Sequence, residues 1–301
     1  TKTVSVKSAD SAKGSVSIEG KESTSVEVPE TEALIVKATA ADNYMFYRWV
    51  EEGTETVISY RHTYSYEGTE DKTLVAEFVE KDYPIMTRFY VTDLNQQNRY
   101  LGSVSYTAGD NTETLFTCAT QEELPFTEYK KLHTPQVEGA VIDKTENLIR
   151  LEEGVENFSM NFKQYNEDIT YNNGYRDIVC EPEIVWSYQT LYIDWNNDKE
   201  FSGENEIYAA VGNNSGDNTF DDPDGNVTEG WDRTITVPAE TAPGTYRMRV
   251  VYMGPDPWSN DWPSKVFTEF YNEIRNGIAY DFEIAISPAC LLYTSPSPRD
   301  C

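Results

Sequence analysis

Five oxygen-bearing residues fall close together in one polar segment, at a spacing that could bind a hard cation. Asp194, Asn196 and Asp198 alternate along the chain, like ligands 1, 3 and 5 of calcium-binding loops. Glu200 could add its backbone carbonyl, and Glu206 could add a carboxylate. The spacing therefore predicts a Ca²⁺ site formed by these five residues.

The same segment lacks two features of the EF-hand calcium loop. Lys199 stands where a glycine makes the sharp turn, and Asn205 stands where a glutamate binds the ion through both oxygens. The alternative is a solvated turn in which Asn and Asp side chains bond to their own backbone. The sequence leaves both alternatives open.

A second candidate segment combines tryptophans with short polar side chains. Trp258 and Trp262 are interleaved with Asp256 and Asn260 in a proline-containing stretch. Flat aromatic rings stack on sugar rings, and Asn and Asp side chains bond to sugar hydroxyls. This composition predicts a shallow glycan-binding site. The alternative is that Trp258 and Trp262 cap the hydrophobic core.

Residue types that support hydrolytic catalysis are scarce. The two histidines, His62 and His133, are far apart in the chain and have different neighbours, which argues against zinc sites and histidine-dependent hydrolases. Adjacent glutamates such as Glu152 and Glu153 carry little information, because the chain has 52 acidic residues and such pairs are common. We therefore predict no catalytic residues and no enzyme activity in this chain.

The composition is that of a globular, strongly acidic chain. Its 301 residues are 39% hydrophobic and 13% aromatic, and 52 acidic against 24 basic residues give a net charge of -28. Such a surface repels phosphate groups, which excludes nucleic acid and anionic membranes as expected partners. Cations, basic proteins and neutral glycans remain. No apolar run approaches ~18 residues, so we expect no membrane insertion.

Alternating apolar and polar residues predict strands along most of the chain. We therefore expect an all-β fold, with a small β repeat module over residues 1–80 and an antiparallel β-sandwich over residues 83–288. The expected boundary is residues 81–84, because the residue before Pro84 is biased towards extended backbone. The strands predicted in the second region span 88–93, 103–107, 140–143, 158–162, 189–194, 233–237, 245–252 and 279–286.

The first region contains four short segments in a recognisable order: 14–18 (GSVSI), 36–40 (VKATA), 44–49 (YMFYRW) and 71–78 (DKTLVAEF). The pattern resembles the divergent internalin-B-type repeat domain of bacterial surface proteins, over about residues 2–80. This resemblance implies a non-catalytic spacer or adhesion module of a secreted, cell-surface protein. Independently, we expect Phe46 and Trp49 to fill the core of a small sheet.

The second region contains another ordered set of segments: 192–201 (YIDWNNDKEF), 235–238 (ITVP), 243–250 (PGTYRMRV) and 276–282 (NGIAYDF). Their order and spacing resemble the GEVED domain, over about residues 185–288, and residues 83–184 are expected to complete the same sandwich. Glu206 matches the acidic residue that follows the first segment. Of the motif that names the family, Gly277 and Asp281 are present, but Ile278 and Tyr280 replace its two glutamates.

The ends of the chain and its cysteines lead to three further expectations. Residues 289–301 leave the strand pattern and resemble a translated sequencing adapter, the alternative being a Pro/Ser-rich linker. The chain opens within a predicted strand and without a methionine, so we expect a fragment of a longer protein. Cys118 and Cys180 could form a disulfide in a secreted protein or could remain free thiols.

These observations predict a non-catalytic, extracellular or outer-surface module of a bacterial protein, for adhesion, display or glycan contact, with calcium as the candidate cofactor. The expected partners are glycans or host or cell-surface proteins, and we expect a monomer. The alternative is that the chain contains accessory domains of a secreted protease or glycosidase whose catalytic domain lies outside this sequence.

Overall fold

The computed structural model describes the chain in twelve ranges: residues 1–84, 86–89, 100–124, 136–137, 141–165, 167–172, 175–180, 187–203, 205–213, 231–253, 272–275 and 277–289. Within these ranges the regular structure is β-strand, apart from one short 3₁₀ turn at Gln121–Glu123. The predicted all-β fold class is confirmed. No helix in the described ranges has the length and apolar character needed to cross a membrane.

The chain forms two compact units: the first comprises residues 1–87 together with 267–273, and the second comprises residues 88–266 together with 274–301. The strands of the first unit are β1 (Lys2–Ser8), β2 (Gly14–Ile18), β3 (Ser25–Val28), β4 (Leu34–Ala40), β5 (Tyr44–Glu51), β6 (Val57–Ser59), β7 (Thr63–Tyr66) and β8 (Lys72–Glu80). They form a five-stranded sheet in the order β3-β1-β8-β5-β6 and a three-stranded sheet in the order β2-β4-β7. Strands β1 and β8 are parallel, and the other pairs in these two sheets are antiparallel.

The core of the first unit is formed by alternate residues of its strands. Val4, Val6 and Leu74 are buried in β1 and β8, where the sequence alternates between apolar and polar residues. Phe46 and Trp49 are buried in the same core with their ring centroids 5.8 Å apart, so their predicted core role is confirmed.

In the described residues, fourteen further strands follow from Met86 onwards. They are β9 (Met86–Phe89), β10 (Leu101–Ala108), β11 (Asn111–Thr117), β12 (Gln136–Val137), β13 (Val141–Glu152), β14 (Asn157–Gln164), β15 (Ile169–Asn172), β16 (Asp177–Cys180), β17 (Ser187–Ile193), β18 (Ile207–Asn213), β19 (Trp231–Thr236), β20 (Gly244–Met253), β21 (Asn272–Arg275) and β22 (Gly277–Ser287).

Two larger sheets of the second unit pack face to face as the predicted β-sandwich. One has the order β13-β22-β20-β17-β18 and the other the order β11-β10-β14-β19. Apolar residues from both sheets share a single core, among them Phe162, Ile193, Met248 and Phe282. One pair departs from the antiparallel pattern that the sequence predicted, because β13 runs parallel to β22. The long stretch of chain between these two strands makes a parallel arrangement possible.

Cys118 is a free thiol in the second unit, and its Sγ atom donates to the carbonyl oxygen of Thr120 at 3.6 Å. Burial raises the pKa of this thiol above its usual range, with a smaller contribution from the negative charge of Glu123. Of the two alternatives that the sequence leaves open, the structure therefore contains the free thiol.

Candidate functional site

The segment that carries the five candidate cation ligands connects two neighbouring strands of the larger sheet. It leaves β17 after Ile193 and enters β18, the edge strand, at Ile207. The backbone N–H of Ile193 donates to the carbonyl of Glu206 at 2.9 Å, which closes the base of the loop. The backbone N–H of Asp194 donates to the carbonyl of Arg247 at 2.9 Å. The loop is therefore held to β20 as well as to β18.

Side-chain oxygens of the loop accept hydrogen bonds from its own backbone. The N–H of Asp198 donates to Oδ1 of Asn196 at 2.8 Å, and the N–H of Glu200 donates to Oδ1 of Asp198 at 2.8 Å. The buried Asp194 carboxylate accepts from the N–H groups of Asp198 at 3.2 Å and Lys199 at 2.9 Å. This is the bonding of the solvated-turn alternative, in which Asx side chains bond to nearby backbone.

Three residues of the loop have left-handed backbone conformations. Asn197, Lys199 and Asn205 have φ values of 58°, 65° and 65°. Asn adopts this region more readily than most residues, whereas Lys does so at a cost. Because the N–H of Lys199 is bound by Asp194, the loop makes its sharp turn without the glycine found in EF-hands.

Glu206 is buried at the inner end of the loop. Its Oε1 accepts from the N–H of Asn196 at 3.3 Å, and its Oε2 accepts from the N–H of Gly203 at 2.6 Å. Burial raises the pKa of the Glu206 carboxyl above its usual range, the two N–H groups oppose this shift, and the charges of Asp194 and Asp198 add to it. The carboxyl therefore lies in a site that disfavours its negative charge.

Gly203 lies close to this carboxyl. A Cβ atom at position 203 would lie 2.6 Å from Cδ of Glu206, which is closer than two carbon atoms can approach. Gly203 was not among the predicted site residues; the signal that could have indicated it is a glycine three positions before Glu206, because glycine allows the backbone to approach a side chain closely.

An aromatic residue of the loop covers the outer face of the sheet. Phe201 is fully buried and contacts the Tyr192 ring, with centroids 5.7 Å apart. The guanidinium of Arg249 lies 5.3 Å from the Phe201 ring centroid, within the range of a cation–π interaction. Tyr192 pairs with Arg249, and Arg249 pairs with Asp281 on the next strand. The loop therefore covers a row of side chains that crosses three strands.

Asp281 forms a buried ion pair at the end of this row. Its Oδ1 accepts from Nε of Arg249 at 2.6 Å, and its Oδ2 accepts from a terminal nitrogen of Arg249 at 2.8 Å. Arg247 donates to the same Oδ2 at 3.0 Å. Two-point pairing of this kind combines charge with fixed geometry. Asp281 is one of the two motif residues that the sequence retains, and its observed role is to hold two arginines.

The loop is rich in oxygen atoms, which are the ligands that a hard cation requires. Across the part of the chain that the structure describes, no three acidic, histidine or cysteine side chains are grouped as metal ligands. The five candidates Asp194, Asn196, Asp198, Glu200 and Glu206 do share one loop. Ca²⁺ binding therefore stays a prediction. The other candidate residues, Trp258, Trp262, Asp256 and Asn260, lie outside the described residues.

The fold and the loop define a β-sandwich domain in which a long hairpin loop covers one outer face. Residues 188–284, from β17 to β22, match the family model of the GEVED domain. The predicted GEVED resemblance is confirmed for these residues, and this part of the chain is an accessory β-domain. No curated protein matches the chain.

Proposed function

We propose that this chain is a non-catalytic part of a secreted or surface-exposed bacterial protein that serves adhesion, display or glycan contact. The observation that carries this proposal is the GEVED match over residues 188–284. The loop supports it, because the acidic oxygens of Asp194, Asp198 and Glu206 hold backbone N–H groups. A carboxylate used in this way is a structural group rather than a general acid or base.

Charge and resemblance support the proposed location and partners. The net charge of -28 favours neutral glycans or basic protein surfaces over nucleic acid and anionic membranes. The resemblance of residues 2–80 to internalin-B-type repeats supports an extracellular or outer-surface location. We expect the chain to act as a monomer.

The second candidate function is that of accessory domains in a secreted protease or glycosidase. The same GEVED match supports it, because an accessory domain can accompany a catalytic one. Sequencing of the flanking gene distinguishes the two candidates. A hydrolase domain beside this chain would favour the second, and repeat or anchor modules alone would favour the first.

We further propose that Ca²⁺ orders the loop between β17 and β18. The donor atoms are all oxygens, which are the ligands that Ca²⁺ prefers. Each carboxylate oxygen has two lone pairs, so an oxygen that accepts one N–H can still contact a cation. Burial is the main cause of the raised pKa of Glu206, and a cation would relieve the smaller contribution that comes from repulsion by Asp194 and Asp198.

We expect millimolar Ca²⁺ to raise the melting temperature of the chain. An ion that binds only the folded state adds about 2.7 kcal/mol of stability at 100 times its Kd. Asp198→Ala should abolish this rise, whereas Asp110→Ala, which alters an exposed carboxylate in the turn after β10, should retain it. The measurement is a thermal melt with Ca²⁺, with Mg²⁺ and with chelator. If the melting temperature is the same with Ca²⁺, with Mg²⁺ and with chelator, the loop does not bind Ca²⁺ and is a solvated turn.

We expect Trp258→Ala to abolish glycan binding without loss of stability. A glycan array probed with the full chain identifies bound sugars, and affinity electrophoresis in a matching polysaccharide compares the variants. If the ring is exposed, the free energy of unfolding should change by less than about 0.5 kcal/mol. A loss of about 3–5 kcal/mol would instead show a core residue and would contradict its role as a sugar-binding ring.

A further inference from the structure

A groove with an apolar floor lies at one end of the sandwich in the second unit. Its two walls are the turn between β13 and β14, residues 153–156, and the turn between β19 and β20, residues 237–243. Both turns cross from one sheet to the other. Leu151 and Ile286, which pair near the ends of β13 and β22, line the floor of the groove where the hydrophobic core ends. We call this cavity the end groove.

The end groove has the size and the fixed walls of a binding site. Its volume of about 700 Å³ lies within the range of about 300–1,000 Å³ that is typical of ligand pockets. The backbone N–H of Val237 donates to the carbonyl of Glu156 at 2.9 Å, which joins the two walls. The hydroxyl of Tyr246 donates to the carbonyl of Ala242 at 2.7 Å, which holds the second wall to β20. A groove held in this way loses little entropy when a ligand binds.

Four glutamates line the end groove, and no basic residue is among the described residues that line it. Glu152, Glu153 and Glu156 lie at the turn between β13 and β14, and Glu240 lies on the opposite wall. All four are exposed, and none forms an ion pair with a described residue. Exposed glutamates of the first unit, such as Glu19, do pair with lysines. The end groove therefore has negative charge that the described part of the chain does not neutralise.

The backbone at Glu240 favours a different residue. Its φ of 67° is left-handed, which glycine adopts freely and glutamate adopts only at a cost. Residues held in such conformations occur often at functional sites. The wall of the groove therefore has a carboxylate at a position where glycine would fit with less strain, and Glu240→Gly removes the charge without harming the turn.

These features suit a ligand with a long aliphatic chain that ends in a positive charge. Lysine has this form, because its four-carbon stem packs on apolar surface while its ammonium group stays hydrated. The floor of Leu151, Ile286 and the half-buried Val155 matches the stem, and the exposed glutamates match the ammonium group. A second copy of this chain is a poor occupant, because two chains with a net charge of -28 repel each other.

We propose that the end groove binds a lysine-rich segment of a basic partner protein, with Glu156 and Glu240 holding its ammonium groups from opposite walls. This inference rests on the proposed adhesive function and gives it a class of partner and a place on the domain. All the residues that carry it are described and belong to the second unit.

The test measures binding of fluorescently labelled, capped hexalysine to the full chain by anisotropy, at about 0.15 M salt to screen distant charges. The charge variant combines Glu156→Gln with Glu240→Gly. Its matched control combines Glu22→Gln with Glu67→Gln, which alter exposed glutamates of the first unit that have no ion pair with a described residue. Because both variants lose two negative charges, they differ only in where the charge is removed.

A second variant alters the shape of the end groove without changing its charge. Ala239 is exposed and lines the groove, so Ala239→Trp should fill it with a bulky ring. The control is Ala12→Trp, at an exposed turn position of the first unit. The melting temperature of every variant is measured beside its binding.

We expect the charge variant to weaken hexalysine binding about tenfold, which is the effect of losing two partly exposed ion pairs. Ala239→Trp should weaken it at least as much, because the stem can no longer reach the apolar floor. Both controls should change binding less than about twofold, since charges outside the groove are screened. No melting temperature should fall, because the substituted positions are exposed and glycine fits the backbone at 240.

An equal loss of binding in the charge variant and its control would show general attraction to an acidic surface, and unchanged binding in Ala239→Trp would show binding outside the groove. Either result would overturn this inference. A lower melting temperature in the charge variant would show that its two carboxylates hold the turns, and would overturn their role as ligands.

Two further probes test the identity of the occupant. Hexalysine with every side chain acetylated keeps the stems without the charge, and equal binding of this peptide would overturn the inference. Tighter binding of a glucosamine oligosaccharide than of hexalysine would identify a cationic sugar as the occupant and would overturn it as well. Absence of hexalysine binding by the parent chain would overturn this inference alone, because the glycan array tests the proposed glycan contact separately.

Discussion

Asp281→Ala should lower the free energy of unfolding of the second unit by about 3–5 kcal/mol. The carboxylate of Asp281 accepts three hydrogen bonds from Arg249 and Arg247, and both Asp281 and Arg249 are almost completely buried. Removal of the carboxylate leaves a positive charge in a site that water hardly reaches. The measurement is a denaturant titration followed by circular dichroism.

A matched control is available on the surface of the first unit. Glu77 accepts a hydrogen bond from Arg48 at 2.7 Å, but this pair is partly exposed. Glu77→Ala should therefore cost less than about 1 kcal/mol. The double variant Asp281→Leu with Arg249→Met should lose less stability than Asp281→Ala, because it leaves no buried charge at position 249. If the single variant were as stable as the parent, the ion pair would have no structural role.

Phe201→Ala should also cost about 3–5 kcal/mol, because it removes a fully buried ring and leaves a cavity. The loss of stability should have a second source besides the cavity, because Phe201 also contacts Tyr192 and the Arg249 guanidinium, and the substitution removes both contacts. Tyr175→Ala is the control, because the Tyr175 side chain is 97% exposed and its loss should change stability by less than about 0.5 kcal/mol.

Two measurements on Phe201→Ala separate packing from loop structure. Denaturant titration gives the loss of stability, and hydrogen exchange reports whether the N–H groups of Asp198, Lys199 and Glu200 lose protection. We expect both to change. Equal stability of the variant and the parent would show that the loop does not depend on the covered face.

Alternating sequence predicted the central strands well because one face of each strand is apolar and packs into the core, whereas the other face carries polar or charged residues. Strand β20 is an example, with its apolar residues in the core and Arg247 and Arg249 on the other face. Strand β11 was missed because it is an edge strand with mostly exposed, polar residues. The second half of β13 was missed because the pairing register shifts between Asp143 and Leu148, which interrupts the period.

The candidate site was predictable in its residues but not in its contacts. The spacing of Asp194, Asn196 and Asp198 placed them in one turn, and the structure shows that turn. The contact between Phe201 and Arg249 could not be predicted, since it joins residues that are distant in sequence and depends on the strand order. The ion pair of Asp281 depends on strand register for the same reason.

The position of β22 has a consequence for how the second unit folds. This last strand lies between β13 and β20, so it completes the interior of its sheet rather than the edge. During synthesis, β13 and β20 cannot acquire their shared neighbour until residues 277–287 have left the ribosome. Pairing between strands so far apart in sequence also slows folding, because a long loop must close first. We therefore expect the sheet to form after translation of its final strand, with the apolar faces of β13 and β20 exposed until then.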